Sequence, residues 1–345
     1  MIPIQNIYYM LSYAFQVLNE QGYKNIATEQ FHNTAELMAA ILEKGIAIQL
    51  KRGLGKEYIL QTEALSSLRG KIDIAESIKT QSMLRKQLIC TYDEFSVNSI
   101  MNRIIKSTVE LLLRSNISKQ RKKNLRKLMV YFSEVDFIDL YTVNWNVQYN
   151  RNNQTYRMLI SICYLVVKGL LQTQSNGHTE LMDFLDEQRM CRLYEKFILE
   201  YYRKEFKNQF TANASQIPWQ LDNEENSMLP VMQSDIMLQS GEKVLIIDAK
   251  YYEHSTQVQF DKHTLHSGNL YQIFTYVKNK EYELREKNHT VSGMLLYAKT
   301  DEEIYPNNVY QMSGNQITVR TLDLNLPFDE IAGQLNTIAK TYFDL

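Results

Sequence analysis

The chain has 345 residues and a mass of 40.6 kDa, a length that predicts roughly two domains. Hydrophobic residues make up 44% and charged residues 22%, a balance that excludes a mainly disordered chain. The 38 basic and 39 acidic residues leave a net charge of −1, so a surface for a polyanion has to be a local feature.

The N-terminal region combines helical and extended patterns. Apolar spacings of three and four predict a helix over residues 5–20 and a second helix from Asn33 to Glu43. From Ile46 the apolar residues alternate, a glycine-containing turn follows, and an extended run resumes. This pattern predicts a hairpin over Ile46–Leu60. Its turn region presents three basic side chains, Lys51, Arg52 and Lys56, and an ordinary solvated hairpin is the alternative.

A basic segment follows over residues 100–130, where the pattern predicts two helices. The segment holds nine lysines and arginines, all between Arg103 and Lys127, against the single acid Glu110. Two interpretations stay open. The basic residues form a solvated helix face, or they contact a phosphate backbone or a partner protein.

The centre of the chain contains its longest apolar run, Met158–Val167. This run is too short to cross a membrane, and the three cysteines lack a CxxC pair, so we predict a cytoplasmic protein without a membrane partner. The polar stretch from Gln172 to His178 predicts a domain boundary. We therefore predict an N-terminal domain of residues 1–175 and a C-terminal domain of residues 176–345. The second domain begins with a long helix and continues with strands and a helix, an α/β layer pattern.

The residues that suggest a catalytic site lie in the second domain. Val244–Ile247 is an unbroken aliphatic run, typical of a strand that is buried on both faces, and it ends in Asp248 and Lys250. Gly241 supplies a turn that brings Asp235 back beside this strand. Two converging carboxylates favour a hard cation such as Mg²⁺, and a nearby lysine suits phosphodiester hydrolysis. A surface salt bridge at the end of an ordinary strand is the alternative.

The order of these motifs resembles a known nuclease superfamily. Glu195 lies in the helix before the sheet, and Gln272 lies four residues before Tyr276 in the helix after it. This order is similar to that of the PD-(D/E)XK nucleases. Five segments also resemble the McrC family, the nuclease subunit of the McrBC modified-cytosine restriction system. They are IPIQNIYYMLSYAF, DEFSVNSIMNRIIKSTVELL, LPVMQSDI, VLIIDAKYY and SGNLYQIFTYV.

This resemblance implies a fold, a reaction and a partner. The implied fold is α/β, with an α+β N-terminal domain and a C-terminal restriction-endonuclease-like domain whose mixed sheet is flanked by helices. Asp235, Asp248 and Lys250 match the catalytic positions, the two aspartates as Mg²⁺ ligands, and Glu195 and Gln272 match supporting positions. Ser234 stands where the superfamily motif has proline, a position the superfamily does not require.

The same resemblance implies a type IV restriction endonuclease subunit that also stimulates GTP hydrolysis. The implied partners are an McrB-type AAA+ GTPase hexamer and double-stranded DNA containing modified cytosine, with GTP bound only by the partner. Docking is expected through the N-terminal domain, which includes Lys51, Arg52 and Lys56. The alternative is a non-cleaving regulatory subunit that uses the nuclease fold as a scaffold.

Overall fold

The computed structural model describes residues 2–19, 23, 26, 29–151, 153–175, 187–222, 228–252, 257–259, 262–299 and 305–345. The chain forms two compact units. One unit consists of Thr28–Phe184, and the other combines Met1–Ala27 with Leu185–Leu345.

The continuous unit contains five helices and a small antiparallel sheet among its described residues. The helices are α2 (Thr34–Arg52), α3 (Ile74–Lys79), α4 (Ile100–Arg114), α5 (Lys119–Met129) and α6 (Tyr156–Ser175). The strands are β1 (Glu57–Leu65), β2 (Lys71–Asp73) and β3 (Leu88–Ser96), in the spatial order β1-β3-β2. The two helices predicted over residues 100–130 are confirmed, and Ser99 and Ser118 cap their N-termini with side-chain hydrogen bonds.

The predicted hairpin over Ile46–Leu60 is wrong. Residues 46–52 continue α2, and β1 instead pairs with β3, with Glu57 opposite Ser96 and Leu65 opposite Leu88. The buried positions Leu42, Ile46 and Gln49 keep helical spacing, whereas Ile48 and Leu50 are only half-buried. The apparent alternation therefore reflects the edge of a helical apolar face. The helix ends at Gly53, whose positive φ of 90° favours glycine.

The discontinuous unit is built on a mixed six-stranded sheet. Its strands are β4 (Thr211–Asn213), β7 (Ile236–Ser240), β8 (Lys243–Lys250), β11 (Thr290–Ala298), β12 (Asn308–Met312) and β13 (Asn315–Leu322). Their spatial order is β12-β13-β11-β8-β7-β4. Two small two-stranded sheets pair β5 (Gln216–Ile217) with β6 (Met232–Gln233) and β9 (Gln257–Gln259) with β10 (Lys262–Thr264). The helices are α1 (Ile4–Ala14), α7 (Glu187–Glu205), α8 (Ser267–Glu283) and α9 (Phe328–Phe343). The predicted α/β class is confirmed.

The N-terminal helix belongs to this second unit, in contrast to the predicted division at residue 175. Asn6 Nδ2 donates to the carbonyl oxygens of Leu324 and Leu326 at 2.8 Å, and Tyr13 donates to Glu205 at 2.9 Å. The amphipathic pattern of α1 predicts an apolar face but not which element covers that face. The predicted boundary stretch is helical as far as Ser175, and its remainder lies outside the described residues.

The centre of the sheet is fully buried, as the aliphatic run predicts. Val244–Ile247 are at most 3% exposed, and β8 is parallel to β11 on one side and antiparallel to β7 on the other. Helix α8 packs on this layer, where Ile273 and Val277 meet Ile246 and Ile317 in one core cluster. None of the described helices combines the length and the apolar composition that a membrane span requires.

Candidate active site

The two aspartates come together because of the β7–β8 hairpin. Ile236 pairs with Ile247, so Asp235, immediately before β7, lies opposite Asp248 in β8. Gly241 closes the hairpin with a φ of 56°, a conformation that glycine adopts without steric cost. The backbone N–H of Ala249 donates to Asp235 Oδ2 at 2.9 Å and fixes that carboxylate at the strand pair.

Lys250 connects the hairpin to the following helix. Its Nζ donates to Asp248 Oδ1 at 2.9 Å and to Gln272 Oε1 of α8 at 3.4 Å. The amide nitrogen of Gln272 in turn donates to the hydroxyl of Tyr276 at 2.9 Å. The side chains of Asp248 and Lys250 are 1% and 14% exposed, so this is a buried ion pair at the end of a core strand.

The pKa shifts at the site arise first from burial and then from the neighbouring charges. Burial raises the pKa of Asp248 well above its usual range; Lys250 opposes this shift and Asp235 adds to it. Burial also raises the pKa of Glu195 to about 7, with a further increase from Asp235. The neighbouring carboxylates keep the pKa of Lys250 above its usual value in spite of its burial. One ammonium therefore faces three partly or fully buried carboxyl groups.

Helix α7 contributes Glu195 and a residue that the sequence interpretation missed. Cys191 lies four residues before Glu195, on the same helix face. Its Sγ donates to the carbonyl oxygen of Tyr251 and accepts from the N–H of Tyr251, both at 3.4 Å. These contacts attach α7 to the backbone immediately after Lys250. The i, i+4 spacing from Glu195 was the available signal in the sequence.

The carboxylates fit a divalent cation that uses few protein ligands. Asp248 Oδ2 is buried and has no hydrogen-bond partner, so it is an acceptor without a donor. Within the described part of the chain, no three His, Cys, Asp or Glu side chains form a complete metal-binding group. Mg²⁺ typically takes one or two carboxylates together with waters and substrate phosphate, and Asp235 and Asp248 supply that number.

The structure thus brings Asp235, Asp248, Lys250, Gln272 and Glu195 together in one unit. The basic residues of the N-terminal prediction lie in the other unit, and all three side chains are exposed. They are Lys51 and Arg52 at the end of α2 and Lys56 before β1. Lys56 Nζ lies 5.8 Å from the ring centroid of Phe95, which is itself 56% exposed.

Comparison with known proteins identifies the class. The family model described as McrBC 5-methylcytosine restriction system component matches residues 5–298, so the chain is a component of a modified-cytosine restriction system. The Type IV methyl-directed restriction enzyme EcoKMcrBC of Escherichia coli (strain K12) is 29% identical over 348 residues. That alignment covers 99% of this chain and 98% of the relative.

Two solved structures from Thermococcus gammatolerans are also similar. One is a half-complex from a tetradecameric assembly of McrB AAA+ hexamers with bound McrC. It matches with a TM-score of 0.48 and 18% identity over 97% of this chain and 76% of the other. The other is a cryo-EM structure of the McrBC complex, with a TM-score of 0.40 and 21% identity over 59% of each chain. The chain belongs to the McrBC family, and the resemblance of its five segments to the McrC family is confirmed.

Proposed function

We propose that the chain is the Mg²⁺-dependent DNA endonuclease subunit of an McrBC-type restriction complex, with a PD-(D/E)XK centre. The observation that carries the proposal is the buried Asp248–Lys250 pair beside Asp235, in which Asp248 Oδ2 has no donor. An ordinary surface salt bridge, the alternative reading of the sequence, would be exposed to solvent. A buried cluster with surplus negative charge instead suits a site that binds a cation.

Asp235 and Asp248 would hold the metal ion, and Glu195 would border it. The ion would supply Lewis-acid polarisation of the scissile phosphodiester. Ala249 fixes Asp235 through its N–H, and Cys191 attaches the helix of Glu195 to the end of the strand. The backbone thus holds the Asp235 carboxylate, and the Lys250 ammonium holds the Asp248 carboxylate, before substrate binds, which is the arrangement that preorganised catalysis requires.

Lys250 acts as a fixed cation. The neighbouring carboxylates raise its pKa, so it is a cation at neutral pH that would stabilise negative charge developing on the phosphate oxygens. Asp248 and Gln272 orient its ammonium group from the strand and from α8. Tyr276 holds the amide of Gln272 in the orientation that presents its oxygen to Lys250.

Membership of the McrBC family supports a second activity. We propose that the chain docks on an McrB-type AAA+ GTPase hexamer through its N-terminal region and stimulates GTP hydrolysis there. The exposed Lys51, Arg52 and Lys56 are the proposed contacts. GTP would bind only to the partner, and the substrate would be double-stranded DNA containing modified cytosine in the cytoplasm.

A non-cleaving regulatory subunit is the other candidate. The intact set of Asp235, Asp248 and Lys250, held in a buried cluster, argues against it. A decayed nuclease domain would have no reason to retain a buried ion pair that apolar residues could replace at no cost in stability.

The Asp235→Asn variant separates the two candidates, because asparagine can still accept the hydrogen bond from Ala249. Mixed with the wild-type partner, this variant should lose DNA cleavage and Mg²⁺ binding measured by titration calorimetry. It should still raise GTP hydrolysis to the wild-type rate. Replacing Lys51, Arg52 and Lys56 together by alanine should weaken GTPase stimulation and keep Mg²⁺ binding. A wild-type chain that stimulates GTP hydrolysis but never cuts modified DNA would favour the regulatory subunit.

A further inference from the structure

Helix α5 divides its basic residues between two faces. It carries six lysines and arginines and no acid in 11 residues, although the whole chain has a net charge of −1. At 3.6 residues per turn, five of the cations fall within an arc of about 140°, and Arg121 points away from that arc. The five are Lys119, Lys122, Lys123, Arg126 and Lys127.

The Arg121 face anchors the helix. The guanidinium donates to Glu36 at 3.3 Å, to Glu43 at 2.8 Å and to Glu29 at 2.7 Å. Leu125, on the same side, is completely buried. Three carboxylates and a buried leucine therefore fix both the position and the rotation of α5 within its unit.

The opposite face, which we call the basic face, has no carboxylates paired with its cations among the described residues. None of its five cations has an ion-pair or hydrogen-bond partner within the described ranges of the chain. Four of them are exposed, and Lys122 is half-buried. The remaining basic residues of the 103–127 segment differ in this respect. Arg103 and Lys106 donate to backbone carbonyls, and Arg114 pairs with Glu110.

This arrangement is unfavourable for an isolated helix. Lys119 and Lys123, Lys122 and Arg126, and Lys123 and Lys127 are like-charge pairs at i, i+4, which destabilise a helix. Lys119 and Lys122 also lie in the first turn, where the helix dipole favours acids, and no acid is present there. A bound polyanion would relieve both effects.

We propose that the basic face binds the phosphate backbone of double-stranded DNA. This inference takes DNA as the ligand from the proposed function, and it assigns a DNA contact to the unit that does not contain the aspartate pair. Lysine, which supplies four of the five cations, is depleted in protein–protein interfaces, whereas protein–DNA interfaces are strongly positive. Nucleic acid therefore fits the face better than an acidic protein does.

Dimensions also agree with a duplex backbone. From Lys119 to Lys127 the helix rises about 12 Å, at 1.5 Å per residue. One DNA strand presents a phosphate every 3.4 Å along the axis, so the face spans roughly three to four phosphates. The contacts carry no base information, so binding should be equal for methylated and unmethylated duplexes.

The test is the salt dependence of DNA binding by the full-length chain. A fluorescein-labelled duplex is titrated in EDTA, without cleavage, at several salt concentrations between about 50 and 200 mM. The variant replaces three exposed cations by glutamine: Lys119→Gln, Lys123→Gln and Lys127→Gln. The control makes the same charge change elsewhere in the unit, at three exposed lysines: Lys44→Gln, Lys71→Gln and Lys86→Gln.

Loss of three phosphate contacts should reduce the magnitude of the slope of log K against log salt by about 2.7, at about 0.9 per contact. The control should keep the wild-type slope. Three results would overturn the proposal: an unchanged slope in the variant, an equal change in the control, or no salt-dependent binding by the wild-type chain. A variant with the wild-type slope but weaker stimulation of the partner GTPase would show that the face binds protein instead.

This measurement is independent of the nuclease centre. If Asp235→Asn cuts DNA like the wild type while the Lys119/Lys123/Lys127 variant loses its salt slope, the proposed catalytic assignment fails and the DNA contact stands. If the aspartate variant is inactive and the lysine variant keeps its salt slope, the catalytic assignment stands and the proposed DNA contact fails.

Discussion

The ammonium group of Lys250 donates hydrogen bonds to the carboxylate of Asp248 in β8 and to the side-chain oxygen of Gln272 in α8. Asp248 is 1% exposed, and the ammonium group of Lys250 is the cation that donates a hydrogen bond to its carboxylate. The fold therefore tolerates a negative charge on the buried Asp248 only while Lys250 or a bound metal ion compensates it. The stability of the fold and the proposed catalysis therefore depend on the same ion pair between Lys250 and Asp248.

Lys250→Ala should destabilise the metal-free chain by about 1–3 kcal/mol, because a buried carboxylate loses its donor. Mg²⁺ should reduce the deficit, since a ligand that binds only the folded state stabilises it by mass action. Chemical denaturation in EDTA and in excess Mg²⁺ measures both effects.

The matched control is Lys340→Ala, an exposed lysine of α9 in the same unit. It should change stability by no more than about 0.5 kcal/mol in either buffer. If Lys250→Ala were as stable as this control in EDTA, Lys250 would not compensate the buried charge.

Sequence reasoning predicts part of this site well. Strand pairing and the turn at Gly241 place Asp235 opposite Asp248, and both facts follow from local pattern. The bonds of Lys250 to Gln272 and of Cys191 to Tyr251 join elements that are distant in the sequence. Neither periodicity nor spacing fixes how α7 and α8 pack against the sheet, so these contacts require the three-dimensional structure.

At the scale of secondary-structure elements, α8 packs tightly against β11 at Gly293. A Cβ on Gly293 of β11 would lie 2.8 Å from Val277 and 2.9 Å from Ile273, both in α8. It would also lie 2.9 Å from Ile317 of β13. The absence of a side chain at Gly293 therefore sets the distance between the sheet and the helix that carries Gln272.

Gly293→Ala should destabilise the chain by about 1–3 kcal/mol through overpacking. It should also slow DNA cleavage, because α8 must move away from Lys250. Gly333→Ala is the matched control, since nothing lies within 4 Å of its Cβ and it is inside α9.

That control should be stabilised by roughly 0.5–1 kcal/mol, as expected for glycine to alanine within a helix. Thermal unfolding of both variants measures the two shifts. Equal shifts in the same direction would show that the packing at Gly293 is not tight.

Helix α2 shows why one element was predicted wrongly. Alternation over five residues is compatible with a strand and with the edge of a helical face. The structure selects the helix because Ile46 and Gln49 are buried at helical spacing. Gln49 also donates to the carbonyl of Gly53 at 2.9 Å and accepts from Thr155. The second of these contacts involves a residue 106 positions away, which a local pattern cannot reveal.

For the chain as a whole, the N-terminal helix completes the unit that contains the aspartates. Tyr9 stacks on Phe328 with ring centroids 4.5 Å apart, and Tyr13 lies 5.7 Å from Phe197 of α7. A boundary based on polar composition separates residues that are joined by these contacts. Composition shows where a linker can lie, but it does not show that the chain returns to an earlier segment.

A fragment of residues 185–345 should therefore fold incompletely, because Phe197 and Tyr201, buried in the whole chain, would be uncovered. We expect weak near-UV circular dichroism and strong binding of a hydrophobic dye. Addition of a peptide of residues 2–19 should reverse both. A fragment that alone shows native near-UV dichroism and cooperative unfolding would contradict this role of α1.

Cleavage of modified-cytosine DNA by the Asp248→Ala chain, mixed with its wild-type partner, GTP and Mg²⁺, tests the nuclease assignment most directly. The exposed Asp329→Ala, in the same unit and with the same loss of charge, is the control. We expect no cleavage by Asp248→Ala, wild-type cleavage by Asp329→Ala, and undiminished GTP hydrolysis with both. Cleavage by Asp248→Ala at the rate of Asp329→Ala would show that the reaction takes place elsewhere.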